Sequence, residues 1–62
     1  MKTDELIFVV LEGENNSLMA VEDNIGLVVF GEDINEIRDG VVLKVDEYYD
    51  GEYKGDIRFI HV

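Results

Sequence analysis

The chain has 62 residues, and its 15 acidic against 5 basic residues give a net charge of −10 at pH 7. This length corresponds to one domain over residues 1–62 with a small core, because such a chain hides only about 60% of its unfolded surface. The absence of cysteine excludes disulfides, and the negative charge argues against direct binding to nucleic acid or to an anionic membrane.

The sequence pattern predicts a cytoplasmic protein. The longest apolar run covers residues 6–11, whereas about 20 residues are needed to span a bilayer. The first residues also lack the charged and then apolar pattern of an export leader that ends in small residues.

Three strands are predicted in the first half of the chain. Residues 6–11 are apolar at every position, which is typical of a strand buried on both faces. A polar turn at residues 12–17 leads to a second strand at residues 18–22. A compact turn at residues 23–26, with residues that tolerate left-handed backbone, leads to a third strand at residues 27–30. We expect an antiparallel meander.

A helix start is predicted directly after the third strand. Gly31 allows the chain to turn, and Asp33 followed three positions later by Glu36 forms a capping-box pattern. In such a box the two side chains accept hydrogen bonds from backbone N–H groups that the first helical turn leaves unpaired. Asp33 and Glu36 are therefore the candidate helix cap.

Two interpretations compete for residues 34–50. On a helical wheel seven apolar side chains share an arc of about 140°, as expected of an amphipathic helix on a sheet. They are Ile34, Ile37, Val41, Val42, Val45, Tyr48 and Tyr49. Against the helix, Gly40 costs about 1 kcal/mol relative to alanine in a helix interior. Residues 41–45 would also serve as a strand after a turn at Asp39-Gly40. The pattern favours the helix and leaves the strand open.

A final strand is predicted at residues 56–62, where Ile57, Phe59 and His61 alternate with the residues between them. Arg58 and His61 indicate an edge position. The elements together predict a small α+β domain of order βββαβ, with a three-stranded antiparallel meander, a final strand and one helix packed on the sheet.

This order of elements resembles the small HicB-like antitoxin domains of bacteria and archaea. Residues 31–37 match the family's motif of glycine, acidic residue, helix cap, apolar, any residue, glutamate, apolar. The apolar first strand and a long helix that ends in the aromatic pair Tyr48-Tyr49 extend the resemblance over most of the chain. It departs from the family at residues 23–26, where many members have a proline-rich approach to the third strand.

The resemblance implies a degraded ribonuclease H-like scaffold that is not an enzyme. In the family this domain binds a small basic HicA-like toxin, an mRNA-cleaving ribonuclease, and covers its active site. Full antitoxins of this type carry a second, DNA-binding module that the 62 residues do not contain, so we expect no autoregulation of an operator.

One surface of the predicted helix is a candidate for binding a partner. Leu43 lies opposite the apolar arc, within a rim formed by Glu36, Asp39, Asp46 and Glu47. An apolar anchor inside a charged rim has the composition of a small interface, and an acidic rim would steer a basic partner. The alternative is an ordinary solvated surface, because single exposed leucines are common.

The pattern predicts no catalytic, metal or cofactor site. Two-metal chemistry needs converging carboxylates, and the candidates lie in predicted turns or at the ends of elements: Glu12, Asp23, Asp33 and Asp50. His61 is the only histidine and has no evident group to orient it as a base. The three tyrosines are expected at the edge of the core or in an interface: Tyr48, Tyr49 and Tyr53.

Three functions of different classes follow. The first is a toxin-neutralising binding module, and the second is a homo-oligomeric domain with a scaffold or ligand-binding role. The third, least favoured, is an acidic metal-dependent hydrolase. A homodimer is expected in addition, because the chain is short, 47% hydrophobic and without disulfides, and edge strands can pair across a two-fold axis.

Overall fold

The computed structural model describes residues 5–62. Three strands are followed by a helix and a fourth strand, with a short 3-10 turn between the first two strands. The elements are β1 (Glu5–Glu12), the 3-10 turn (Glu14–Asn16), β2 (Leu18–Glu22), β3 (Leu27–Gly31), α1 (Ile34–Tyr48) and β4 (Asp56–His61). The protein is therefore of the α+β class, with one helix and one mixed sheet.

The sheet has the strand order β3-β2-β1-β4. The first three strands form the antiparallel meander that the sequence predicts. The crossover through α1 returns the chain in its original direction, so that β4 pairs with β1 in parallel. β4 is an edge strand, as its polar residues indicate, and β3 forms the other edge.

The central region is helical, and the alternative strand at residues 41–45 is wrong. α1 is continuous from Ile34 to Tyr48. Gly40 contributes to this outcome, because a Cβ at that position would lie only 2.7 Å from Cγ1 of Val29. Because glycine has no side chain, the helix can lie close to β3. We infer that this close packing compensates for the poor helix propensity of glycine.

The core lies between α1 and one face of the sheet. Its members are Leu6, Phe8, Val10, Ala20, Val29, Ile37, Val41 and Val45. From the helix only positions separated by four residues are fully buried, so the contacting arc is narrower than the helical wheel predicts. Val42 and Tyr48, which the wheel places in the buried arc, are 59% and 54% exposed.

Within residues 5–62, no element covers the opposite face of the sheet. The prediction that β1 is buried on both faces is wrong for this chain alone. The core residues of β1 alternate with residues whose side chains point away from the helix. We call this surface the open face. Its apolar members are Ile7, Val9, Leu11, Met19, Val21, Val28, Phe30 and Ile60.

Local hydrogen bonds fix the turn between β2 and β3. The carboxylate of Glu22 is buried, and its Oε1 accepts a hydrogen bond of 2.8 Å from the N–H of Ile25. Gly26 closes the turn at a φ of +80°, in the left-handed region that glycine adopts without strain. The compact turn expected at residues 23–26 is present.

Candidate functional site

The start of α1 is held by side chains of its first turn. Oδ1 of Asp33 accepts a hydrogen bond of 2.9 Å from the N–H of Glu36. Oε1 of Glu36 in turn accepts one of 2.9 Å from the N–H of Glu32, one residue before the position that a standard capping box uses. Glu36 is thus occupied in fixing the helix as well as exposed on it.

The remaining residues of the predicted rim are all exposed on α1. Leu43 is 65% exposed, and Asp39, Asp46 and Glu47 are also open to solvent. The rim does not converge as one cluster: Leu43 and Glu47 line a surface groove, whereas Glu36, Asp39 and Asp46 stand outside its lining.

This groove lies between α1 and the edge of the sheet, and we call it the helix–β3 groove. Its volume is about 550 Å³, and Val28, Val29, Phe30, Gly40, Leu43, Lys44 and Glu47 line it. The groove is mostly apolar, with one acidic and one basic side chain.

The sequence did not identify Val28 and Phe30 as part of this site. Every residue from 27 to 30 is apolar, so the alternation that assigns faces in a half-buried strand is missing. The sequence gives one indication for Phe30: it is the last residue before Gly31, where the helix motif begins and the strand ends. In the structure Phe30 is 71% exposed.

The position of β3 gives the groove a second property. An edge strand has backbone N–H and C=O groups on its outer side that no neighbouring strand pairs with. An extended peptide can add to such an edge and place alternate side chains in adjacent depressions. The helix–β3 groove therefore combines the backbone pairing groups of β3 with the apolar side chain of Leu43.

The acidic side chains of α1 are accessible to a partner. The ion pair found within residues 5–62 joins Nη1 of Arg58 to Oε2 of Glu5 at 3.2 Å, and it lies on β4 and β1, at the other side of the sheet. Within the same residues no acidic side chain of α1 forms an ion pair. Among the described residues, the carboxylates of Asp39, Asp46 and Glu47 are thus available to attract a cationic surface.

The described residues contain no cluster that could bind a metal ion. Within residues 5–62 no three histidine, aspartate or glutamate side chains lie so that they could hold a metal ion. His61 is exposed on β4, and within this part of the chain no hydrogen bond orients its ring. In the described part of the chain, no helix has the length and apolar character needed to cross a membrane.

Tyr49 and Tyr53 pack against the core from its edge, and their rings lie 4.9 Å apart. The hydroxyl of Tyr53 donates a hydrogen bond of 2.8 Å to the carbonyl of Asp56. This contact ties the loop after α1 to the start of β4. Tyr48 is exposed and touches Tyr49 edge to face at 5.0 Å.

Comparison of the chain with protein-family models, with curated proteins and with solved structures gives no significant match in any of the three.

Proposed function

We propose that the protein is a non-enzymatic binding module of the HicB-like antitoxin type, which neutralises a small basic HicA-like mRNA-cleaving toxin by covering its active site. The degraded ribonuclease H-like scaffold is part of this proposal. The observation that supports it best is the helix–β3 groove, where the exposed Leu43 stands beside a free strand edge on an acidic helix.

The charge distribution favours a basic partner of this kind. A ribonuclease binds the phosphates of RNA through cationic side chains. The carboxylates of α1 carry the same sign of charge as RNA and compete for the same cationic surface. Their attraction accelerates encounter, and the apolar contact at Leu43 slows dissociation.

The experiment starts with the tagged protein and a lysate of its host. We expect recovery of one small basic protein whose ribonuclease activity is low in the complex and appears when this chain is removed. Recovery of no such ribonuclease, or of one that the chain does not inhibit, would contradict the proposal.

Two matched variants then locate the interface. Leu43→Glu places a carboxylate in the groove and is expected to raise the Kd for the toxin by about 10-fold or more. Val42→Glu introduces the same charge at the neighbouring exposed position outside the groove lining and is expected to leave the Kd within about 2-fold. If calorimetry showed that the two variants change the Kd equally, the groove would not be part of the interface.

The second candidate function is a homo-oligomeric domain of the same fold with a scaffold or ligand-binding role and no toxin partner. The open face favours it, because this surface extends over all four strands and shares only Val28 and Phe30 with the groove.

A further inference from the structure

The open face is continuous across the whole sheet. Val28, Val21, Val9 and Ile60 stand side by side, one from each strand in the order β3-β2-β1-β4. Leu11, Met19 and Phe30 flank this row on one side, and Ile7 flanks it on the other side, next to Arg58. Phe30 and Ile60 are 71% and 49% exposed. Contiguous apolar surfaces of this extent on a small protein mark interaction sites.

The sequence of β1 provides an independent indication. Six consecutive apolar residues at positions 6–11 are typical of a strand covered on both faces. Within residues 5–62, α1 covers one of the two faces and no element covers the other. The composition of β1 therefore matches an assembly in which a second layer covers the open face.

We propose that a second copy of this chain covers the open face, so that two sheets pack face to face at about 10 Å in a symmetric dimer. This surface is distinct from the strand edges at which the sequence led us to expect pairing. The proposal does not depend on the toxin-binding function.

The charge distribution selects a second copy over a basic protein for this surface. Among the described strand residues, those whose alternation places an ionisable side chain on the open face are Glu5, Asp56 and Arg58, and Arg58 pairs with Glu5. Glu22 and Asp23 line a depression beside Ile7 and Val9 at the same end of the sheet. A basic partner would thus meet carboxylates only at that end, whereas the apolar remainder of the open face is complementary to a copy of itself.

The same arrangement reduces repulsion between two acidic chains. In a face-to-face dimer the two α1 helices lie on the outer sides, roughly 30 Å apart if each layer is about 10 Å thick. This distance exceeds the Debye length of about 8 Å at physiological ionic strength. Association through the helices would instead bring their carboxylates together.

A face-to-face dimer must bury enough of the open face to be stable. A standard stable interface buries about 800 Å² per partner, roughly one-sixth of the 4794 Å² surface of this chain. Phe30 alone contributes about 140 Å² of that, given the 150–250 Å² typical of an aromatic side chain.

Sedimentation equilibrium tests the proposal on the purified chain. We expect a species of twice the 7.1 kDa chain mass. Ile7→Gln and Ile60→Gln change exposed positions of the open face and are expected to raise the dimer Kd by about 10-fold. Val42→Gln makes the same change on α1 and is expected to leave the Kd within about 2-fold. A monomeric wild-type chain at several hundred micromolar would overturn the proposal.

Isotope-filtered NMR on a mixture of labelled and unlabelled wild-type chains locates the interface even if a variant fails to fold. We expect contacts between chains at the methyl groups of Val9 and Val21, in the middle of the open face. Contacts confined to the backbone edges of β3 or β4, or to α1, would overturn the proposal.

Salt dependence separates this proposal from the toxin-binding function. The dimer Kd is expected to stay constant or to fall as salt increases, because apolar contact drives association and salt screens the remaining repulsion. A dimer that dissociates on addition of salt would contradict the face-to-face arrangement. Toxin binding is tested with the basic partner and is expected to weaken with salt, so either proposal can fail without the other.

Discussion

Gly40 of α1 and Val29 of β3 approach so closely that a Cβ on Gly40 would lie 2.7 Å from Cγ1 of Val29. Real Cβ atoms are essentially never found at such distances, so any larger residue at position 40 would force the helix away from the sheet or move Val29. A residue that is unfavourable in an isolated helix is thus favourable in this packed one.

Gly40→Ala is therefore expected to destabilise the protein despite the better helix propensity of alanine. Propensity contributes about 1 kcal/mol in favour of alanine, whereas overpacking costs about 1–3 kcal/mol. We expect a net loss of about 1 kcal/mol in the free energy of unfolding, measured with urea. In a Val29→Ala background the same change is expected to be neutral or stabilising, because the opposing methyl group is gone. Equal effects in both backgrounds would contradict the steric explanation.

The buried carboxylate of Glu22 is expected to stabilise the turn that follows β2. Glu22→Ala leaves the N–H of Ile25 without its acceptor and is expected to cost about 1–3 kcal/mol. Glu22→Gln retains an acceptor oxygen and is expected to cost less. Glu14→Ala, at an exposed position of the 3-10 turn, is the control, with a change within about 0.5 kcal/mol. If the alanine variants at positions 22 and 14 unfold at the same urea concentration, the hydrogen bond does not contribute.

Removal of the helix cap is expected to weaken α1. Asp33→Ala eliminates the acceptor of the Glu36 N–H and is expected to cost about 1 kcal/mol. Asp33→Asn keeps an acceptor oxygen and is expected to retain most of the stability. Asp39→Ala removes an equal charge from an exposed position inside the helix and serves as the control. If Asp33→Ala and Asp39→Ala lowered the thermal unfolding temperature equally, the effect would come from the lost charge and not from the lost cap.

Gly26 offers a test of backbone conformation without a change in packing. Its φ is +80°, and a Cβ there would meet nothing within 4 Å. Gly26→Ala is therefore expected to cost about 1–2 kcal/mol through backbone strain alone. A chain of 62 residues is accessible to chemical synthesis, and D-alanine at position 26 is expected to stabilise by about 0.4–1 kcal/mol, because it adopts positive φ and restricts the unfolded chain. Identical effects of the two alanine enantiomers would exclude this explanation.

Features that depend on neighbouring residues in the chain were predictable. The strands, the turn at residues 23–26 and the helix start at Asp33 follow from composition and spacing. The parallel pairing of β4 with β1 was not predicted, because nothing local in residues 56–62 identifies the strand that they join. Val42 is exposed although its neighbour Val41 is buried. Which of the two is covered depends on how much of the helix surface the sheet contacts, and a helical wheel carries no information about that.

Only part of the candidate site was predictable, because the rest depends on which elements lie next to each other. Leu43 is exposed, as its position on the wheel indicates. Val28 and Phe30 join it only because β3 is an edge strand next to α1, a relationship of tertiary structure. The toxin partner and the HicB-like relationship remain predictions.

The parallel pairing of β4 with β1 has a consequence for how the chain folds. Glu5 pairs with Asp56, 51 positions later, so one side of β1 has no neighbour until residues 56–61 have been synthesised. Contacts this distant in sequence form slowly, because a long loop must close before they are gained. During that interval residues 6–11 present an apolar strand with an unpaired edge, the kind of segment from which aggregates grow. The net charge of −10 then acts before the fold exists, by keeping newly made chains apart.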